Sequence, residues 1–134
     1  MSWDVTIQRF SRRYDAVEEI PDDETCQPLG SRSEVQAAIS RVFPDVDWSD
    51  PAWGICDAEW GSIEFNMGDS EPSTGFTLHV RASAAVVAMI VDLCVANDWQ
   101  ALDCTNGTFL ETSPDPAVGL NASNRYRDQV VGDD

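Results

Sequence analysis

The stretch SIEFNMGDSEPSTGFTLHVR, Ser62–Arg81, places two alternating segments on either side of a turn. Ile63, Phe65 and Met67 alternate with Glu64 and Asn66, and Phe76, Leu78 and Val80 alternate with Thr77, His79 and Arg81. A period of two marks a strand buried on one face. The link GDSEPS has the residues of a turn. Two such strands in succession predict an antiparallel pair. Its apolar set faces a core, and its polar set, with the single histidine of the chain, faces the other way.

Working outward, WGICDAEW (Trp53–Trp60) reads as a preceding strand and SWDVTIQRF (Ser2–Phe10) as an N-terminal one, with Trp3, Val5 and Ile7 alternating against Asp4, Thr6 and Gln8. Ser31 opens a helix through the S-x-x-E capping box with Glu34. Val35, Ala38, Ile39, Val42 and Phe43 then form one apolar stripe, which Pro44 ends. Downstream, SAAVVAMIVDLCVAND predicts a second helix, apolar nearly all round and so heavily buried. WQALDC predicts a strand, and the Asn106-Gly107 turn leads into a last strand at FLET. The order β-α-β-β-β-α-β-β predicts an α+β fold: an antiparallel sheet of five to six strands, two helices packed on one face, and a more polar opposite face. One domain is expected over residues 1–112. Within it 11–30 is a mobile acidic loop without periodicity, and 113–134 follows as a tail, partly ordered at most, with room for a short helix at SNRYRDQVV.

Composition narrows the function. The 134 residues carry 24 acidic side chains against 8 basic ones, all arginine, for a net charge of −16. Such a chain repels nucleic acid and anionic membrane and attracts cations or a basic protein. The N-terminus lacks a basic segment followed by an apolar run, and the longest apolar stretch is interrupted by Asp92, so a cytoplasmic setting is expected. Cys26, Cys56, Cys94 and Cys104 lack CxxC spacing, which points away from zinc and, in a reducing compartment, toward free thiols. No phosphate-cradling glycine loop, dinucleotide fingerprint or nucleophile elbow occurs. No cofactor, metal or catalytic residue is therefore assigned.

Two surfaces carry candidate residues. DVDWSDPAWG, Asp45–Gly54, holds Asp45, Asp47, Asp50, Trp48 and Trp53. It departs from a calcium loop: the third acid is one place late, and Cys56 stands where the bidentate glutamate belongs. Asp50-Pro51 is turn chemistry, and the two indoles either fold back as a lid on the core or form an exposed, acid-rimmed hot spot. The second surface is the open sheet face, where Glu64, Asn66, His79 and Arg81 would gather, a set suited to general acid–base work or ligand binding. A cysteine nucleophile would need His79 as its base.

The motifs DWSDPAWG, IEFNMG, GFTLHVR and WQALDC-TNGTFL resemble those of a family of small, uncharacterised bacterial proteins, over roughly Trp3 to Leu110. The resemblance implies one folded bacterial domain in the cytosol and no established activity. Small acidic α+β domains also resemble, in size and charge, the immunity proteins that neutralise secreted toxins. The expectation is a non-catalytic protein-binding domain, with an immunity-type inhibitor of a basic toxin or enzyme as its specific form. The partner surface would be Asp45, Asp47, Trp48, Asp50 and Trp53. The alternatives are a small enzyme or ligand binder on the His79 face, and an accessory domain with no separable site.

Overall fold

The computed structural model describes residues 2–113, 115–122 and 124–125. Its strands are β1 (Trp3–Gln8), β2 (Asp47–Asp50), β3 (Trp53–Ala58), β4 (Gly61–Asn66), β5 (Phe76–Ala82), β6 (Gln100–Asp103) and β7 (Thr108–Phe109), and its helices α1 (Arg32–Val42) and α2 (Ala85–Asn97). All seven strands join one antiparallel sheet in the order β2-β3-β4-β5-β1-β6-β7. The fold is α+β, as expected, but the detail differs. The described residues form seven strands rather than five to six, because Asp47–Asp50, expected as loop, pairs with β3 along one edge. Its four residues offer a single apolar side chain to the core, so no alternation announces it. Among the described residues a third α-helical stretch, 118–122 with 124–125, joins the two expected helices, and Val17–Glu19 and Leu110–Thr112 form short 3-10 turns.

The two faces of the sheet divide as the alternation requires. Trp3, Val5 and Ile7 of β1, Ile63 and Phe65 of β4, and Leu78 and Val80 of β5 are all buried in one core. Burying each such side chain contributes about 1.5–3 kcal/mol. Over them lie α1 and α2. Ser31 caps α1 by accepting from the Glu34 N–H at 3.1 Å, while the Glu34 carboxylate accepts from the Ser31 N–H at 3.0 Å. Both exchanges satisfy donors that no helical carbonyl can reach. The second helix corrects its expectation. Val86, Val87, Ile90, Leu93 and Cys94 are buried, but Val95 is 61% exposed, so an almost uniformly apolar helix buries only one stripe.

The acidic segment 11–30 lies against the β6–β7 end of the other face. Tyr14 is buried there, its N–H donating to the Gln100 side chain and its carbonyl accepting from it at 3.0 and 2.8 Å. Phe10 meets Tyr14 and Phe109 edge-on. The Tyr14 hydroxyl donates to Glu24, which holds that carboxyl below its ordinary range. Bridges between Arg9 and Gln27 and between Gly30 and Ser73 complete the path to α1. Past residue 112, Leu120 is wholly buried in the main core, and the Asn124 side chain donates to the Ala82 carbonyl at 2.9 Å. Most of the expected helix at SNRYRDQVV lies outside the described residues.

One acid enters this architecture on the wrong side. Glu111 accepts from the Ala101 N–H through Oε1, while its buried Oε2 has no hydrogen-bond partner and the side chain lies beside the buried Cys94 thiol. Burial raises the Glu111 pKa above the ordinary carboxyl value, and the Cys94 thiol is driven up for the same reason. The neutral acid is thus the better-tolerated form in the fold. Its contribution to stability is full below the ordinary carboxyl pKa and is lost as pH rises through the elevated folded value. Glu24, Glu34 and Asp47 are shifted down and act in the opposite sense. Glu111→Gln keeps the acceptor for Ala101 and removes the buried charge. The variant is expected to be more stable than wild type at neutral pH, with the advantage disappearing in acid. Urea unfolding of both proteins from pH 3 to 8 checks this, and a difference independent of pH would contradict it.

Candidate functional site on the open sheet face

The register of the sheet sets the open face out as rows. Trp53, Asn66, Thr77 and Thr6 are successive cross-strand partners from β3 to β1. The next row runs Asp47, Ile55, Glu64, His79 and Asp4 from β2 to β1. A third row holds Asp57, Ser62 and Arg81. Paired residues on neighbouring strands share a face at about 5 Å, so these side chains form one continuous surface. The helices lie behind it, and segment 11–30 crosses its far end and brings Cys26 to Gln8, at the edge of the first row.

His79 sits at the centre, flanked by a carboxylate on each neighbouring strand. Its Nδ1 is 2.9 Å from Asp4 Oδ1, which also accepts from the Ser2 hydroxyl at 2.8 Å. The Trp53 indole leans over β4 and stacks on the imidazole, centroids 5.6 Å apart and planes 15° from parallel. The indole N–H donates to Glu64 Oε1 at 3.3 Å. Arg81 stands 3.8 Å from Glu64 Oε2, beyond hydrogen-bond length. Ile55, 43% exposed, is the apolar neighbour of Glu64 in the same row. Toward β1, Thr6, Gln8, Asn66 and Thr77 border a shallow groove of about 280 Å³. Its walls are open, unlike the concave pockets that enclose small substrates.

The two surfaces read from the sequence therefore become one, less two members. Glu64, Asn66, His79 and Arg81 share the open face, and Trp53, Asp47 and Asp50 join them through their partners. Trp48 goes to the other side of the sheet. It packs on Phe65 at 6.1 Å between centroids and donates its indole N–H to Ser40 of α1 at 3.1 Å. Asp45 stays exposed in the turn before β2. Of the three acids, Asp47 accepts from the Ser49 N–H and hydroxyl, and Asp50 accepts from the Ala52 N–H, so two of them shape their own turn. Asp4, Ile55 and Asp57 were not singled out from the sequence. The alternation already put Asp4 on the polar face, but only the pairing of β1 with β5 makes it the neighbour of His79.

Chemically the site is an aromatic and apolar centre, Trp53 and Ile55, ringed by carboxylates. Three of the four thiols are set against nucleophilic work. Cys56 and Cys94 are buried with the core, and burial raises the thiols of Cys26, Cys56 and Cys94, which opposes the reactive thiolate. All four cysteines are free; Cys104 is exposed, with its sulfur 3.4 Å from the Thr6 hydroxyl. No protein-family model, curated protein or solved structure matches the chain. No helix among the described residues is long and apolar enough to cross a membrane.

The seat of Trp48 is testable through Gly54. A Cβ at Gly54 would stand 2.4 Å from the Trp48 ring, so the close approach of indole to backbone needs glycine there. Gly54→Ala is expected to cost about 1–3 kcal/mol, the usual penalty of overpacking, and to shift tryptophan emission to the red as Trp48 is displaced. Urea unfolding followed by fluorescence measures both. An unchanged midpoint and spectrum would refute the seat.

Proposed function

We propose that this protein is a non-catalytic binding domain for a basic protein, and that it binds through the open face of its sheet. The single observation that carries the reading is the row Asp47-Ile55-Glu64-His79-Asp4 beside Trp53: an apolar and aromatic centre inside a ring of acids. Interface hot spots have this form, a desolvated aromatic anchor with a polar rim. The net charge of −16 adds long-range attraction for a basic partner and speeds encounter. An immunity-type inhibitor of a basic bacterial toxin or enzyme, acting in the cytosol, is the specific form proposed.

The hydrogen bond from His79 to Asp4 favours a second reading, a small enzyme or ligand binder on the same face, since it fixes the imidazole as a general base requires. The openness of the face makes it the weaker of the two.

The test is capture from a bacterial lysate by the immobilised protein, with Trp53→Ala and Glu64→Gln beside wild type. A basic protein retained at a fixed stoichiometry, weakened by salt and lost about tenfold or more with Trp53→Ala, is the expected result. Equal retention by all three proteins would overturn the assignment of the surface. Turnover of a small molecule that depends on His79 would replace binding with the second reading.

A further inference from the structure

We propose that Glu64 is the anchor for an arginine side chain of the partner, and that Arg81 is an internal occupant which that arginine displaces. The inference rests on the binding role assigned above to the open face and identifies the chemistry the face selects.

The Glu64 carboxylate is engaged from within the protein, and it is not saturated. Glu64 gives Oε1 to the Trp53 indole, and its Oε2 meets only the guanidinium of Arg81, at 3.8 Å. That ion pair is loose and wet, with the two side chains 47% and 33% exposed. Exposed pairs of this kind contribute little to stability, so fold integrity does not explain Arg81. Its position does show that the carboxylate, with the Trp53–His79 stack beside it, admits a guanidinium. A guanidinium suits the site better than an ammonium. It is planar, it presents a fork to a carboxylate and it stacks on aromatic faces. An arginine from a partner would also be desolvated by the surrounding interface, which strengthens its pairing with Glu64 relative to the solvated Arg81. Arg81 then swings away into solvent, and its charge opposes a basic partner until it does.

This arrangement makes an unusual prediction: deleting a side chain of the binding face strengthens binding. The probe is labelled hexa-arginine, with hexa-lysine beside it, titrated at low salt by fluorescence anisotropy. The proteins are wild type, Arg81→Gln, Glu64→Gln, the double variant and Arg41→Gln. Arg41 is an exposed arginine of α1, on the opposite side of the sheet, and it controls for net charge. Arg81→Gln is expected to tighten hexa-arginine about three- to fivefold, the scale of an exposed ion pair. Arg41→Gln should give less than half that gain, and the double variant should abolish it. Wild type should prefer hexa-arginine to hexa-lysine. Arg81→Met, which keeps the apolar stem, should reproduce Arg81→Gln, and melting curves confirm that each variant is folded. Equal gains from Arg41→Gln and Arg81→Gln, or no preference between the peptides, would overturn the Glu64 anchor and leave the basic-partner reading standing. Failure of wild type to bind either peptide would overturn both.

Discussion

Everything in this molecule depends on the insertion of β1 between β5 and β6. The N-terminal strand pairs with β5 on one edge and β6 on the other, so segments about 70 and 95 residues away in the chain meet across six residues. On the core side Trp3, Val5 and Ile7 then link the two ends of the sheet beneath the helices, and all three are buried. On the open side Asp4 comes beside His79 and Thr6 beside Thr77. A side-chain period of two ties these outcomes together: any register that buries Val5 also presents Asp4. Core and site are therefore one constraint. A slip by one residue would bury Asp4 and expose the apolar set.

The charge of the protein has to be read against that geometry. A net −16 does not tell where a partner would dock, because acidic side chains also serve local structure. Glu34 closes a helix cap, Asp47 and Asp50 shape the β2–β3 turn, Asp103 accepts from the N–H groups of Thr105 and Asn106, and Glu24 takes the Tyr14 hydroxyl. What separates Asp4 and Glu64 is that their partners are side chains of the same exposed face, Ser2 and His79 for one and Trp53 and Arg81 for the other. A local cap satisfies a backbone donor that would otherwise go unpaired, and giving it up costs structure. Exposed contacts between side chains can be exchanged for those of a partner at little cost to the fold.

Much of this was legible in the sequence where one period dominated. The capping box of α1, the alternation in β1, β4 and β5, and the Asn106-Gly107 turn, with Gly107 at φ 66°, all appear where local chemistry puts them. The polar face was legible too, since Glu64, Asn66, His79 and Arg81 follow from alternation alone. Strand order was not, because pairing is non-local. Nothing within SWDVTIQRF says that Asp4 will stand opposite His79 rather than opposite β6 alone. The exposed side of α2 escaped for a related reason: uniform apolarity predicts burial all round, but a helix in an outer layer has one face with no layer above it.

The sharpest case is the pair of tryptophans, five residues apart and fated to opposite sides of the sheet. In a hairpin of uniform register an odd spacing across the turn does not settle which face each indole takes. Here the register shifts between Asp47 and Asp50, so that Asp47 pairs with Ile55 and Asp50 with Trp53. That irregularity puts both aspartates on the face of Trp53 and leaves Trp48 directed at the core, over the bare backbone of Gly54. Glycine is what permits the inward indole, because any Cβ would occupy its ring position. Trp53, one residue earlier, has the strand parity of Ile55 and must point outward. Once outward it finds a flat polar partner in His79 and an acceptor in Glu64, which keep a large aromatic ordered on a solvated surface. One bulge and one glycine thus turn a repeated residue type into two different parts. Trp48 closes the core, and Trp53 builds the face on which the acids converge.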